Sequence, residues 1–175
     1  EEGRDAHLRA IKPRQDSTVV TIGELERPGP EAIANEPVIR IVEHYWWTDQ
    51  PHPTIYARLV DLLKNVWRCR RVIVDATGVG AGVAGFLEKA LGPAVVTPFL
   101  FTTGSKSKLG FDLLAAVNSG RLKMYQGDGS PEFQEFWLEV NRARSFYRPN
   151  QTINFYVNPS QGHDDFDMSL ALLQK

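Results

Sequence analysis

Long hydrophobic runs and paired cysteines are missing from this 175-residue chain. No apolar run approaches the roughly 18 residues that cross a bilayer, so no membrane partner is expected. Cys69 is the only cysteine and has no partner for an internal disulfide, which favours a reducing compartment such as the cytoplasm. Residues 1–5, EEGRD, do not have the composition that starts a signal peptide.

Charge of one sign is also not in excess. Twenty Lys and Arg residues face 21 Asp and Glu residues, which gives a formal net charge of −1. A nearly neutral protein has no overall field that attracts a polyanion. A nucleic-acid partner would therefore have to be bound by a local basic patch.

Several catalytic signatures are absent as well. The chain has no Cys/His set with zinc spacing and no Ser, Cys or His pattern that indicates a nucleophile paired with a base. It also lacks the G-x-x-x-x-G-K-[ST] sequence that binds ATP phosphates. These absences argue against a structural zinc site, a covalent hydrolase and an ATPase motor within these residues.

What is present predicts an α/β domain of ordinary size. Two β-prone runs come first, STVVTI at 17–22 and PVIRIVEHYWW at 37–47, and a wide antiparallel hairpin can join them. After Pro53 helical stripes alternate with short strands, with strands predicted at 71–75, 94–99 and 152–157 and a helix capped by Ser130-Pro131. We expect one domain over 1–175, with a mixed central β-sheet flanked by helices.

Asp75 ends the apolar run Val72-Ile73-Val74, which predicts a carboxylate at the carboxyl edge of the sheet. An aspartate that merely starts a glycine turn is the simpler alternative. Residues 80–85, GAGVAG, also match the dinucleotide fingerprint of a Rossmann domain. That reading fits poorly, because three residues separate the strand from the glycines and 95–102 carries no acid for a ribose. We interpret the glycines as a tight turn beside Asp75.

The second acidic feature is HDDFD at 163–167, directly before the apolar run of the last predicted helix. Acids in a first helical turn favour the positive end of the helix dipole, and Asp164 or His163 could be an ordinary cap. However, Asp164, Asp165 and Asp167 repel one another, and a divalent cation among them would relieve that repulsion. Oxygen ligands of this kind suit Mg²⁺ or Mn²⁺.

Between these carboxylates lies TTGSKSK, 102–108, which runs into the start of a helix. Amide groups, the Ser105 hydroxyl and the ammonium groups of Lys106 and Lys108 together predict a phosphate cradle, with an ordinary solvated cap as the alternative. The segment 142–148 mixes arginines with Phe146 and Tyr147, which could follow a DNA backbone or form a helix surface.

These pieces resemble a known family, the nuclease domain of the phage terminase large subunit, which belongs to the RNase H-like (retroviral integrase-like) superfamily. The resemblance rests on DSTVVTIGE, VIVDATGVGAGVAGFLEKAL, SKSKLGFDLLAAVNSGRLKM and HDDFDMSLAL, which follow the family's order over nearly the whole chain. It implies an RNase H-like fold and a metal-dependent endonuclease that cuts concatemeric double-stranded DNA during phage packaging.

By the same resemblance, Asp75, Asp164 and Asp165 are the catalytic residues and hold two Mg²⁺ or Mn²⁺ ions. Lys106, Lys108 and Ser105 are the expected DNA contacts. The implied partners are the terminase ATPase domain, the small subunit and the portal, and the implied location is the host cytoplasm. The chain is then a nuclease piece of a larger ATPase-nuclease protein.

The family's first metal-binding aspartate follows a strand that precedes DSTVV, and no β-prone run stands there in this sequence. Asp5 and Asp16 are possible substitutes, but neither follows apolar β residues. We expect the first strand and its aspartate to lie upstream of Glu1. Three other functions stay open: another RNase H-like nuclease such as a Holliday-junction resolvase, a non-catalytic DNA-binding module, and, remotely, the Rossmann domain.

Overall fold

The structure of the chain is a computed structural model that describes residues 17–29 and 36–175, with the backbone alone for His52. Strands and helices alternate after an opening hairpin. The elements are β1 (Ser17–Glu26), β2 (Val38–Thr48), α1 (His52–Val60) with its π-helical continuation Asp61–Val66, β3 (Val72–Asp75), α2 (Gly80–Leu91), β4 (Val96–Phe99), α3 (Thr103–Asn118), β5 (Leu122–Lys123), α4 (Pro131–Arg142), β6 (Arg144–Tyr147), β7 (Ile153–Tyr156) and α5 (Asp165–Leu172).

The hairpin of β1 and β2 is the longest pairing in the fold. The two strands are antiparallel from the pair Ser17 and Thr48 to the pair Glu26 and Val38, with a bulge between Ile22 and Gly23. Gly23 suits the bulge because a Cβ there would lie 3.1 Å from a methyl carbon of Leu173. A small residue therefore lets the end of the chain pack directly on the hairpin.

The strands described fall into three groups. The first sheet has the order β1-β2-β5 and is mixed, because β2 pairs antiparallel with β1 and parallel with β5. β3 and β4 form a parallel pair, and β6 and β7 form an antiparallel pair. The predicted α/β class with a mixed sheet is confirmed. Its division into groups was not predicted, and it leaves β1 and β3 each at the edge of a sheet.

Helices pack on both faces of the hairpin. Val20 and Ile22 point to one side, into a core formed with α1, α2, β3 and β4, whose buried members include Ile55, Leu59, Leu63, Val72, Leu87 and Val96. Val19 points to the other side, where Ile41 packs against Phe136 of α4 and against Phe166 and Leu170 of α5. This alternation follows from the period of two along a strand.

One element differs from the sequence-based expectation. Helix α4 ends at Arg142, and Arg144–Tyr147 forms strand β6, whose residues pair with Tyr156 through Ile153 of β7. The alternative of a helix surface is therefore wrong for this segment. Among the described residues, no helix is both long enough and apolar enough to span a membrane.

Gly110 offers a test of the packing between α3 and β7. A Cβ at this buried position would lie 2.9 Å from a ring carbon of Phe155 and 3.2 Å from a methyl of Ile153. We expect Gly110→Ala to lower the free energy of unfolding by about 1–3 kcal/mol through overpacking, in spite of the better helix propensity of alanine. Urea denaturation followed by circular dichroism measures this change.

Gly85→Ala in α2 is the matched control. Nothing lies within 4 Å of a Cβ built at that position. The substitution should raise the free energy of unfolding by up to about 1 kcal/mol, because alanine is the better helix former. Equal effects of the two substitutions would contradict the close contact between α3 and β7.

Candidate active site

Asp75 is the last residue of β3 and lies exposed at the carboxyl end of the β3 and β4 pair. Its Oδ1 accepts a hydrogen bond of 2.7 Å from the amide of Thr77, so one carboxylate oxygen takes part in the turn that follows. A Cβ at Gly80 would lie 2.2 Å from the carbonyl oxygen of Asp75. Glycine is therefore required there, and the chain folds tightly beside the acid, as the sequence indicated.

The acids of HDDFD surround the first turn of α5. Asp164 occupies the N-cap position, but its side chain makes no capping hydrogen bond. Its Oδ2 instead lies 3.9 Å from the Nζ of Lys106 in α3. The simple alternative, in which the Asp164 side chain only caps the helix, does not describe this geometry.

One cavity of about 1900 Å³ is bordered by all three of the predicted catalytic acids. Asp75, Asp164 and Asp165 all line it, together with Thr77 and His163. Asp75 reaches it from β3 and the other two acids from the start of α5, so residues far apart in the chain border one cavity. Within 17–29 and 36–175, however, no three His, Cys, Asp or Glu side chains already converge in the arrangement of a metal site.

The donors around this cavity fit a hard divalent cation. They are carboxylate oxygens, which Mg²⁺ and Mn²⁺ prefer as ligands. Asp167, which does not line the cavity, has its Oδ2 buried without a hydrogen-bond partner. An unpaired buried carboxylate oxygen is costly unless a proton or a cation compensates it. The acids that border the cavity thus supply oxygen donors of the kind that Mg²⁺ and Mn²⁺ prefer.

Two buried acids, Asp167 in α5 and Glu139 in α4, are further functional candidates, and Glu139 is the one that the sequence did not indicate. Burial raises the pKa of Asp167 to about 6, helped by the charge of Asp164 and opposed by Lys106. Burial likewise raises the pKa of Glu139 in α4 to about 8, with the nearby charges of Asp165 and Asp167 adding to the effect. Glu139 lies three positions after buried Phe136, so the helical period already placed it on the inner face of α4.

Glu139 also fixes the start of α5. Its Oε2 accepts a hydrogen bond of 2.8 Å from the amide of Phe166, one of the amides that the helix itself leaves without a partner. The capping function that the sequence suggested for Asp164 or His163 is thus supplied from another helix. This leaves the carboxylate of Asp164 to face Lys106.

The three residues of the expected phosphate cradle take different positions. Ser105 forms a capping box with Thr102, and its hydroxyl donates to the carbonyl of Leu100 at 2.6 Å. Lys108 is exposed and pairs with Asp112 at 3.0 Å. Lys106 is partly buried, with its ammonium 5.2 Å from the centroid of the Phe155 ring and close to Asp164. Only Lys106 is therefore in contact with the acidic group.

Arg142, from the basic and aromatic segment, contacts the loop that precedes α5. Its guanidinium donates a hydrogen bond of 2.6 Å to the carbonyl of Gln161, in the loop that leads to His163. Phe146 and Tyr147 of β6 are exposed. Asp5 and Asp16, the possible substitutes for the first metal-binding aspartate, lie outside the described residues.

The buried Glu139 predicts a pH dependence of stability. Its pKa in the folded protein, about 8, lies above the ordinary value of 4.5, so folding favours the protonated form. The stability that this proton contributes is complete below about pH 4.5 and is lost as the pH rises through 8. We expect the free energy of unfolding in metal-free buffer to fall between pH 5 and pH 8, on the order of 1 kcal/mol per pH unit at most.

Glu139→Gln tests whether Glu139 causes this pH dependence of stability. The amide oxygen of glutamine can still accept the hydrogen bond from the amide of Phe166, but the side chain cannot ionise. The variant should show a flatter dependence on pH over the same range, measured by urea denaturation in the presence of EDTA. Glu132→Gln, in the first turn of the same helix and only partly buried, is the matched control. An unchanged slope in Glu139→Gln would contradict the assignment.

No family model and no curated protein matches the chain. Several solved structures do match it. The large terminase nuclease from thermophilic phage G20c with bound cobalt matches at 18% identity over 91% of this chain and 81% of that chain, with a TM-score of 0.60. The same nuclease with bound magnesium matches at 19% identity over 93% of this chain and 82% of that chain, also with a TM-score of 0.60. The large terminase nuclease domain of Thermus phage P74-26 matches at 17% identity over 89% of this chain and 77% of that chain, with a TM-score of 0.55. The resemblance and the fold class that the sequence implied are confirmed: this chain has the RNase H-like fold of the large terminase nuclease domains.

Proposed function

We propose that the chain is the nuclease domain of a phage DNA-packaging motor and that it cuts concatemeric double-stranded DNA with divalent metal ions. The observation that carries this proposal is that Asp75, Asp164 and Asp165 line one cavity although they are far apart in the sequence. The structural neighbours are nucleases, and two of them contain bound cobalt or magnesium, which supports the same chemistry here.

The three aspartates would hold the metal from two sides. Asp75 approaches from the end of β3, and Asp164 and Asp165 approach from the start of α5. These carboxylates would hold Mg²⁺ or Mn²⁺, with two ions expected, and the bound metal would supply an activated water and stabilise the leaving 3′ oxygen of the phosphodiester. The protein supplies fixed carboxylates, and the buried Glu139 keeps the helix that bears two of them in place.

Lys106 has the best position to contact the scissile region of the DNA. It sits in the first turn of α3 and already lies beside Asp164, so its charge is directed at the place where a phosphate would approach the acids. Lys108, more exposed, would contact the backbone farther out. Ser105 would act by fixing the start of α3, where the exposed Thr103 and Gly104 present amides suited to a phosphate oxygen.

The wider assignment follows from the same resemblance. We propose that the chain is one nuclease unit within a larger protein with an ATPase domain, and that it works with a small subunit and a portal in the host cytoplasm. Linear duplex DNA is then the substrate. A preference for branched over linear duplex would instead indicate a junction resolvase.

Nicking of supercoiled plasmid by the full-length protein tests the role of Asp75. Asp75→Asn should reduce metal-dependent nicking by about 100-fold or more, because it removes a charged ligand worth several kcal/mol of transition-state stabilisation. Asp49→Asn, an exposed aspartate away from the cavity, should cut like the unmodified protein. Undiminished nicking by a correctly folded Asp75→Asn variant would reject the assignment.

The salt dependence of DNA binding tests Lys106. Removing one phosphate contact should lower the slope of log K against log salt by about 0.9. We expect this change for Lys106→Gln and none for Lys64→Gln, which alters an exposed lysine at the end of the π-helical segment. Filter binding or fluorescence anisotropy at several salt concentrations gives the slope, and identical slopes would exclude a phosphate contact by Lys106.

A further inference from the structure

Three arginines without ion-pair partners lie together just before β3. Arg68, Arg70 and Arg71 occupy the turn between the π-helical segment and this strand, and all three are exposed. Within the part of the chain that the structure describes, no ion pair or hydrogen bond holds their guanidinium groups. Residues 62–74 contain no Asp or Glu, so the charge of this arginine cluster is not neutralised by its neighbours in sequence.

Several other cations of the fold differ from the cluster because they already have a partner. Arg40, Lys106, Lys108 and Arg121 each form an ion pair with a carboxylate. The whole chain has a formal net charge of −1, so it has no general attraction for a polyanion. An unpaired local group of arginines is the kind of feature that a nucleic-acid contact requires in such a protein.

The helix dipole accounts for one basic residue in this region but not for the cluster. Lys64 lies in the last turn of the π-helical segment, where a cation is favourable beside the carbonyl groups of the helix end. Arg70 and Arg71 come after that end, and Arg71 directly precedes β3. The three arginines also border the large cavity, whereas Lys64 does not. The cluster therefore needs another explanation.

The backbone at Arg68 favours a residue other than arginine. Its φ is 51°, in the left-handed region that favours glycine, and it directly follows the C-cap residue Trp67. The turn is fixed by hydrogen bonds from the amides of Trp67 and Cys69 to the carbonyls of Leu62 and Leu63. Glycine would be more stable at position 68, so a guanidinium there indicates a role other than stability.

The arginine cluster and the acids lie at opposite ends of β3. Arg71 precedes the first residue of the strand and Asp75 is the last, so about 13 Å separates their Cα atoms. Helices cover both faces of the strand, because Val72 packs with α1 and α2 and Ile73 packs with α3 and α5. A straight DNA duplex at the acids therefore cannot also lie along β3 and reach the cluster.

We propose that the arginine cluster binds the phosphate backbone of a second segment of duplex DNA, separate from the segment at the acids. A guanidinium donates two parallel hydrogen bonds to phosphate oxygens, which makes arginine well suited to this contact. Cys69, the one residue between the arginines, is only partly exposed, so no apolar side chain protrudes among them. A surface of charge alone is typical of contacts with DNA phosphates, whereas protein interfaces have an apolar centre. The choice of DNA as the partner rests on the proposed function.

The salt dependence of duplex binding in EDTA tests the cluster. A variant with Arg68→Gln, Arg70→Gln and Arg71→Gln should lower the slope of log K against log salt by about 2–3, since each lost phosphate contact removes about 0.9. Lys64→Gln, an exposed lysine that does not border the cavity, is the matched control and should keep the slope. EDTA prevents metal-dependent cleavage, so the slope can fall as expected even if the protein does not cut DNA. An unchanged slope in a correctly folded triple variant would overturn the proposal and leave an acidic protein as the partner.

Arg68→Gly separates the two effects of the residue at position 68. The midpoint of urea denaturation should rise, because glycine adopts a φ of 51° more readily, and the salt slope should fall by about 0.9. Gln151→Gly, at the other exposed residue with a φ near this value, should raise the midpoint without changing the slope. A slope that stays the same in Arg68→Gly would contradict the role of Arg68.

A bridging experiment tests whether the DNA at the cluster is a second segment. Beads that carry one biotinylated duplex are mixed with the protein and a fluorescent duplex in EDTA. The unmodified protein should retain the fluorescent duplex, and the triple arginine variant should retain at least about tenfold less, because each lost phosphate contact weakens binding. No retention by the unmodified protein, or equal retention by the triple variant, would overturn the proposal. Retention that appears only as the protein dimerises, detected by light scattering, would also overturn it, since each copy would then need only one site.

Discussion

The burial of Phe166 is the interaction on which the acidic site depends. Its side chain is fully buried and packs near His44, Trp46 and Phe136, while its neighbours in sequence are both aspartates. One fixed ring therefore sets the directions of two carboxylates, with Asp165 at the cavity and Asp167 inside the protein. The fully buried Ala171 and the nearly buried Leu170 continue the same packing along α5.

Placing several acids around one helical turn carries an electrostatic cost, and the structure reduces it in two ways. Burial raises the pKa of Glu139 to about 8, so this carboxyl group is largely protonated near neutral pH, whereas Asp167, with a pKa of about 6, gains a proton only as the pH falls toward 6. Lys106 offsets part of the charge of Asp164. Asp164 and Asp165 border the cavity, where a cation can reach their carboxylates.

The sequence predicted the parts of the fold that depend on local patterns. The strand before Asp75, the glycine turn after it and the helix that begins after Ser130 were all readable from short stretches, because strand propensity, glycine geometry and capping are local. Strand β6 was not readable, since its four exposed residues show no alternation and become a strand only through pairing with β7. The contact between Lys106 and Asp164 depends on tertiary packing, and no spacing in the sequence encodes it.

Most residues of the candidate site could likewise be predicted from the sequence, but their arrangement in space could not. Asp75, Asp164 and Asp165 stood out because acids follow a buried strand or precede a buried helix. Glu139 was harder to recognise, because a glutamate in a helix is ordinary until the phase of the neighbouring apolar residues is considered.

The β6–β7 hairpin contacts the part of α3 that carries Lys106, the lysine beside Asp164 at the start of α5. It is attached to α3 through the amide of Ile153, which donates to the Ser107 hydroxyl at 3.0 Å, and through the ring of Phe155, which lies under the ammonium of Lys106. Lys106 and Ser107 are consecutive, so a shift of the hairpin moves the lysine that neighbours Asp164.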